Sequence, residues 1–251
     1  MTPRSIMRSM AGALLASLLL AVPAPAQEAA SEADGRMLSP TEAAPFRGIG
    51  RLNVAGRRFC TATLISAREA LTAAHCLFHP TTGRRVPTSE MKFVAGLDRG
   101  SYAALRGVEA TAIPPDFEFE TRRPLRSLRR DLALVRLDAP VAAKDAAPLS
   151  VGVAGEPEGL AIVSYSRERS QALSIVRPCT RLRERGNLVT LSCRITFGAS
   201  GAPVLELNGG EARIYAVSSA IAQVFGQRHA ATYVVRVDAG EVERLRAGLA
   251  R

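Results

Sequence analysis

Short apolar runs, separated by turns rich in Gly, Pro and Arg, constrain this chain more than any other feature. They occupy residues 49–54, 59–65, 92–95, 132–137, 160–165, 188–193, 214–222 and 232–237. Runs of this length are the usual size of β-strands, and their spacing argues for an all-β sandwich or barrel. The pattern alone establishes only that the chain is mostly β. Pro140 and residues 142–148 make a crossover between two halves. Near the C-terminus Val242, Leu245 and Leu249 recur at helical spacing with Glu and Arg between them. That predicts a short amphipathic helix over about residues 238–250, starting near Asp238.

The first 26 residues read as a secretory signal. Arg4 and Arg8 supply a basic start, residues 11–22 are an apolar run, and Ala24-Pro25-Ala26 fits a small-x-small cleavage site. The run is too short to cross a bilayer, which takes about 20 residues. Residues 27–44 are rich in Ala, Glu and Ser without an apolar period, and read as a flexible leader or short pro-segment. Without residues 1–26 the chain keeps 31 basic and 23 acidic residues, a net charge of +8. The positive residues are scattered, and the densest stretch, residues 122–130, reads as a solvated loop. Nucleic acid is therefore not expected as a ligand, nor a membrane once the signal is removed, and a secreted or periplasmic monomer is expected.

All four cysteines, Cys60, Cys76, Cys179 and Cys193, lie after the signal. An even number in an exported chain favours disulfides. Three pairings are possible, the most local being Cys60 with Cys76 and Cys179 with Cys193. No CxxC spacing occurs, which argues against a zinc site; no metal or other cofactor is expected.

Three motifs carry the chemistry. Thr72-Ala73-Ala74-His75-Cys76 follows an apolar stretch and holds one of only three histidines. A histidine titrates near neutrality and is the usual base for activating a hydroxyl. Arg130-Asp131-Leu132-Ala133-Leu134-Val135 sets a carboxylate at the start of an apolar strand, and Phe197-Gly198-Ala199-Ser200-Gly201-Ala202-Pro203 sets a serine between glycines. From about Pro45 onwards these segments resemble the trypsin/chymotrypsin-like serine proteases, whose triad runs His, Asp, Ser along the chain. His75, Asp131 and Ser200 keep that order, 56 and 69 residues apart.

The resemblance implies two packed antiparallel six-stranded β-barrels, one over about residues 45–140 and one over about 148–237, with a short C-terminal helix. It implies that Cys60–Cys76 is the bridge beside the catalytic histidine. It makes His75 the general base, Asp131 its orienting acid and Ser200 the nucleophile. The backbone N–H groups of Gly198 and Ser200 become the oxyanion hole. Arg194, six residues before the serine, and Ser218, Ser219 and Ala220 on a later strand become the specificity-pocket wall, with Ser218 matching the family's serine there. His79 reads as a surface residue and His229 as part of an exposed turn.

Two departures matter. The residue before Ser200 is Ala199 instead of the family's acid, which in zymogens pairs with a newly released N-terminal amine. Ala199 therefore uncouples activity from N-terminal processing. No acid stands where trypsin-like enzymes select Lys or Arg, so that preference is not supported; an inward-pointing Arg194 would favour an acidic residue instead. The implied function is a secreted serine endopeptidase acting on polypeptides. The alternatives are a catalytically silent homologue that binds through the same fold, favoured only by Ala199, and an esterase.

Overall fold

A computed structural model of the chain describes residues 35–56, 58–120, 124–152, 157, 159–208, 210–222 and 231–249. The expected signal segment, residues 27–34 of the leader and His229 lie outside the described residues. The described chain opens with β1 (Arg36–Met37), a one-turn helix α1 (Pro40–Ala43) and a 3-10 turn (Ala44–Phe46). The first half continues with β2 (Ile49–Val54), β3 (Arg58–Ser66), β4 (Glu69–Thr72), a 3-10 turn (Ala74–Leu77), β5 (Met91–Ala95), β6 (Ala104–Ala112), helix α2 (Leu125–Leu128) and β7 (Ala133–Leu137). Its six long strands close into an antiparallel barrel in the order β2-β3-β4-β7-β6-β5. Leu52, Val54, Leu64, Met91, Phe93, Val135 and Leu137 fill the interior.

The second half holds β8 (Ser150–Val151), β9 (Leu160–Ser166), β10 (Arg169–Cys179), β11 (Arg181–Arg185), β12 (Leu188–Leu191), β13 (Pro203–Asn208), β14 (Glu211–Ala222) and β15 (Ala231–Arg236). These join β1 in a nine-stranded sheet ordered β1-β10-β9-β13-β14-β15-β12-β11, with β8 beside β14. Only Thr180 separates β10 from β11. One bent stretch of chain thus pairs with β9 along β10 and with β12 along β11, and the sheet returns on itself through that bend. The bend is pinned twice. Cys179 is bonded to Cys193, and Thr180 and Ser192 exchange backbone and side-chain hydrogen bonds at 2.9 Å.

One apolar cluster runs through both halves, from Ile49, Leu71, Leu132 and Leu134 to Val163, Tyr165, Leu205, Ile214 and Val217. Helix α3 (Ala239–Leu249) adds Val242, Leu245 and Leu249, the three residues at helical spacing. Burying each such side chain contributes about 1.5–3 kcal/mol. Asp238 caps the helix by accepting the Glu241 N–H, and Arg246 pairs with Glu69 at 2.7 Å, fastening it to the first barrel.

Residues 36–44, which composition assigns to a flexible leader, are part of the fold. Arg36 and Met37 pair with Ile175 and Ser174 of β10, and Leu38 is buried in the shared cluster. Ser39 and Glu42 form a reciprocal capping box with Pro40 at the first helical turn, and Glu42 also pairs with Arg36 at 2.7 Å. The Ser-Pro-Thr-Glu signature is legible in the sequence, but the Ala/Glu-rich surroundings mask it. The hydrogen bond from Arg36, with those from Ser39, holds the Glu42 carboxyl down at about 2. Its contribution is thus fully present above pH 4.5 and is lost as the pH falls through about 2.

The bridge between Cys60 and Cys76 closes a loop of 16 residues. Replacing both cysteines by serine is expected to cost about 3 kcal/mol, read as a lower guanidinium midpoint.

Candidate active site

Each motif sits beside the start or end of a strand, where the ladder stops. His75 lies on the 3-10 turn after β4, Asp131 between α2 and β7, and Ser200 in the turn leading into β13. Asp131 is fully buried. A carboxylate tolerates that only when donors surround it. Its Oδ1 accepts the His75 backbone N–H at 2.8 Å, and its Oδ2 lies 2.7 Å from His75 Nδ1 and accepts the Ser219 hydroxyl. His75 is itself largely buried. Arg58 donates to the carbonyls of His75 and Phe78, clamping the turn that carries the imidazole.

The serine loop is docked onto the first barrel by its backbone. The Thr61 N–H donates to the Ser200 carbonyl at 2.9 Å, and the Thr61 hydroxyl donates to the Gly198 carbonyl at 3.0 Å. The same hydroxyl accepts the Tyr165 N–H at 3.1 Å, so one fully buried threonine joins β3, β9 and the serine loop. Tyr165 donates its own hydroxyl to the Leu97 carbonyl, and burial pushes its phenol up. Gly198 and Gly201 have φ of +96° and +79°. A Cβ on Gly201 would stand 2.1 Å from Thr72 Oγ1 and 2.3 Å from the Thr61 carbonyl oxygen; one on Gly198 would stand 2.4 Å from the Phe59 ring. The loop therefore lies directly against Thr72, three residues before His75. Among the described residues, neither the Gly198 nor the Ser200 N–H has a protein acceptor.

The remaining expected residues fall in different places. Cys60–Cys76 and Cys179–Cys193 are the bonded pairs. Ligand atoms of Cys60, His75 and Cys76 lie within 4.8 Å of one another, but both sulfurs are in the disulfide, leaving no thiolate there for a metal. His79 is exposed and accepts turn N–H groups from Thr81 and Thr82. Arg194 is exposed.

Ser218 and Ser219, expected on the specificity-pocket wall, both lie inside the fold. Both are fully buried: Ser218 donates to the Ala199 carbonyl, and Ser219, rather than Ser218, is the serine that reaches Asp131. The cause is a register shift between Ser218 and Ala220 where β14 pairs with β15, which turns two consecutive side chains inward. Of the three, only Ala220 keeps accessible surface. Thr61 and Arg58 escape sequence reading because a threonine or an arginine on a strand carries no local mark of a long-range partner.

Gly201→Ala should destabilise the fold by about 2–4 kcal/mol, since it adds a clash with backbone to a left-handed φ. Urea unfolding measures the loss.

A comparison with family sequence models matches residues 60–212 to the trypsin-like peptidase domain. Among solved structures, a Glu endopeptidase in complex with MPD aligns with a TM-score of 0.69 at 18% identity, over 87% of this chain and 97% of that one. A comparison with curated protein sequences finds no match. The matched segment contains His75, Asp131 and Ser200 and exceeds half of the chain, and the barrel arrangement agrees with it: the chain belongs to the trypsin-like peptidase family.

Proposed function

We propose that this protein is an exported serine endopeptidase that cleaves polypeptides through an acyl-enzyme on Ser200. The observation that carries the proposal is the buried carboxylate of Asp131, 2.7 Å from His75 Nδ1, with Ser219 completing its shell. A carboxylate in that position holds the proton on Nδ1 and leaves Nε2 as the basic nitrogen. His75 Nε2 takes the Ser200 proton as Oγ bonds to the scissile carbonyl carbon. The carbonyl oxygen becomes an anion, and the Gly198 and Ser200 N–H groups receive it. Collapse breaks the C–N bond, and the proton on Nε2 passes to the leaving amine. Water, deprotonated by the same nitrogen, then attacks the ester and frees Ser200.

Two disulfides fit an oxidising compartment, and the signal-like residues 1–26 support secretion or delivery to the periplasm. No described helix is long and apolar enough to cross a membrane.

A fluorophosphonate probe should label the wild type and fail to label Ser200→Ala; a folded wild type that resists the probe points to a silent binding module. Ester turnover without casein cleavage would point to an esterase. Asp131→Asn should lower kcat by about 10⁴-fold, because the imidazole is then held in the wrong tautomer. Ala199 offers no acceptor for a released amine, and residues 36–46 are already built into the fold. Proteins beginning at Gln27 and at Gly35 should therefore have kcat values within about threefold of each other. A rise of orders of magnitude on cutting one defined bond would sink that part of the reading.

A further inference from the structure

Ala199 raises a physical question: with no acid to tether the stretch before Ser200, something else must aim its backbone. Four consecutive residues there are anchored. The Thr196 hydroxyl donates to the Glu168 carboxylate at 2.7 Å, and the Phe197 carbonyl accepts the Arg167 N–H at 2.7 Å. The Gly198 carbonyl accepts the Thr61 hydroxyl, and the Ala199 carbonyl accepts the Ser218 hydroxyl. Arg167 and Glu168 are the two central residues of the tight turn between β9 and β10. The Arg167 guanidinium also covers the ring of Phe197, 4.4 Å from its centroid. That ring is 64% exposed, the most exposed large apolar side chain among the described residues.

Peptide planarity turns these anchors into an orienting device. In a trans peptide the C=O of one residue and the N–H of the next lie in one plane and point in opposite directions. Fixing the Phe197 carbonyl therefore aims the Gly198 N–H the other way. Fixing the Ala199 carbonyl does the same for the Ser200 N–H. We propose that the Arg167–Glu168 turn and Ser218 are the positioning elements of the oxyanion hole, holding its two N–H donors in place of the acid–amine pair that zymogen activation supplies elsewhere in the family. This rests on the reading that Gly198 and Ser200 receive the oxyanion. It gives a function to Ser218, whose burial excludes it from the substrate surface, and to Glu168, whose hydrogen bond from Thr196 holds its carboxyl below the usual range.

Neither Arg167 nor Glu168 has a positive φ. A left-handed backbone therefore does not bar proline from the first central position, where it deletes the N–H. Arg167→Pro is compared with Arg167→Ala, which loses the same guanidinium but keeps the donor. Arg167→Pro should lower kcat by about 10- to 1000-fold with KM within about threefold, while Arg167→Ala falls by no more than about threefold. A peptide boronate, which forms a tetrahedral adduct, should lose affinity in step with kcat; a non-cleaved peptide should not. Protection of the Ala199 N–H, bonded to the Thr196 carbonyl at 3.2 Å, should drop in amide exchange of Arg167→Pro while residues 133–137 keep theirs. Glu168→Ala should show a milder form of the same defect, and Glu168→Gln, which keeps an acceptor oxygen, should restore it. Equal kcat and equal exchange in Arg167→Pro and Arg167→Ala would overturn the proposal. Should Arg167→Pro fail to fold, equal behaviour of Glu168→Ala and Glu168→Gln would overturn it. A wild type that resists the fluorophosphonate would remove the catalytic reading instead, and the exchange comparison would still decide whether the turn braces the loop.

Discussion

A fully buried carboxylate organises the junction between the two halves. Asp131 cannot remain buried without donors, and its donors come from both halves of the fold. His75 supplies a backbone N–H and a ring nitrogen from the first barrel, and Ser219 supplies a hydroxyl from the second sheet. Separating the halves would take the Ser219 hydroxyl from Asp131 and leave both His75 contacts in place. The apolar cluster running from Ile49 to Val217 supplies the cohesion that keeps this polar junction dry.

Thr61 has a related role on the serine side. Its hydroxyl and N–H bind two separate backbone segments, β9 and the serine loop, so the loop carrying Ser200 is built onto the strand that leads, through β4, to His75. The glycines at 198 and 201 permit this approach, because a side chain at either would collide with Phe59 or Thr72. The loop's alignment thus depends on contacts already present in the folded chain.

Much of the fold was legible in local pattern. The run 49–54 coincides with β2, and the helical spacing of Val242, Leu245 and Leu249 coincides with the buried face of α3. Other elements left no readable mark. β11 is exposed along its whole length and strongly charged, and exists because it pairs with the fully buried β12. β10 ends in Arg-Pro-Cys, where proline and charge argue against a strand, yet it forms the bend through which the second sheet returns on itself. β1 is two residues long and is a strand only because β10 offers it an edge.

The same division holds at the site. By itself the sequence determined the order of histidine, aspartate and serine, the glycines flanking the serine, the even cysteine count and the loss of the acid at 199. Each of these is a matter of which residue types occur and in what order, and none depends on how distant segments meet. Only the tertiary structure decided that Ser219 rather than Ser218 reaches Asp131, that residues 36–46 belong to the folded body, and that a tight turn at Arg167 meets the loop at Phe197. Those outcomes depend on strand register, on a single shift that inverts which side chains face inward, and on contacts between segments distant in the chain. A periodicity of two can say that a strand has two faces; it cannot say what the opposite strand presents to either one.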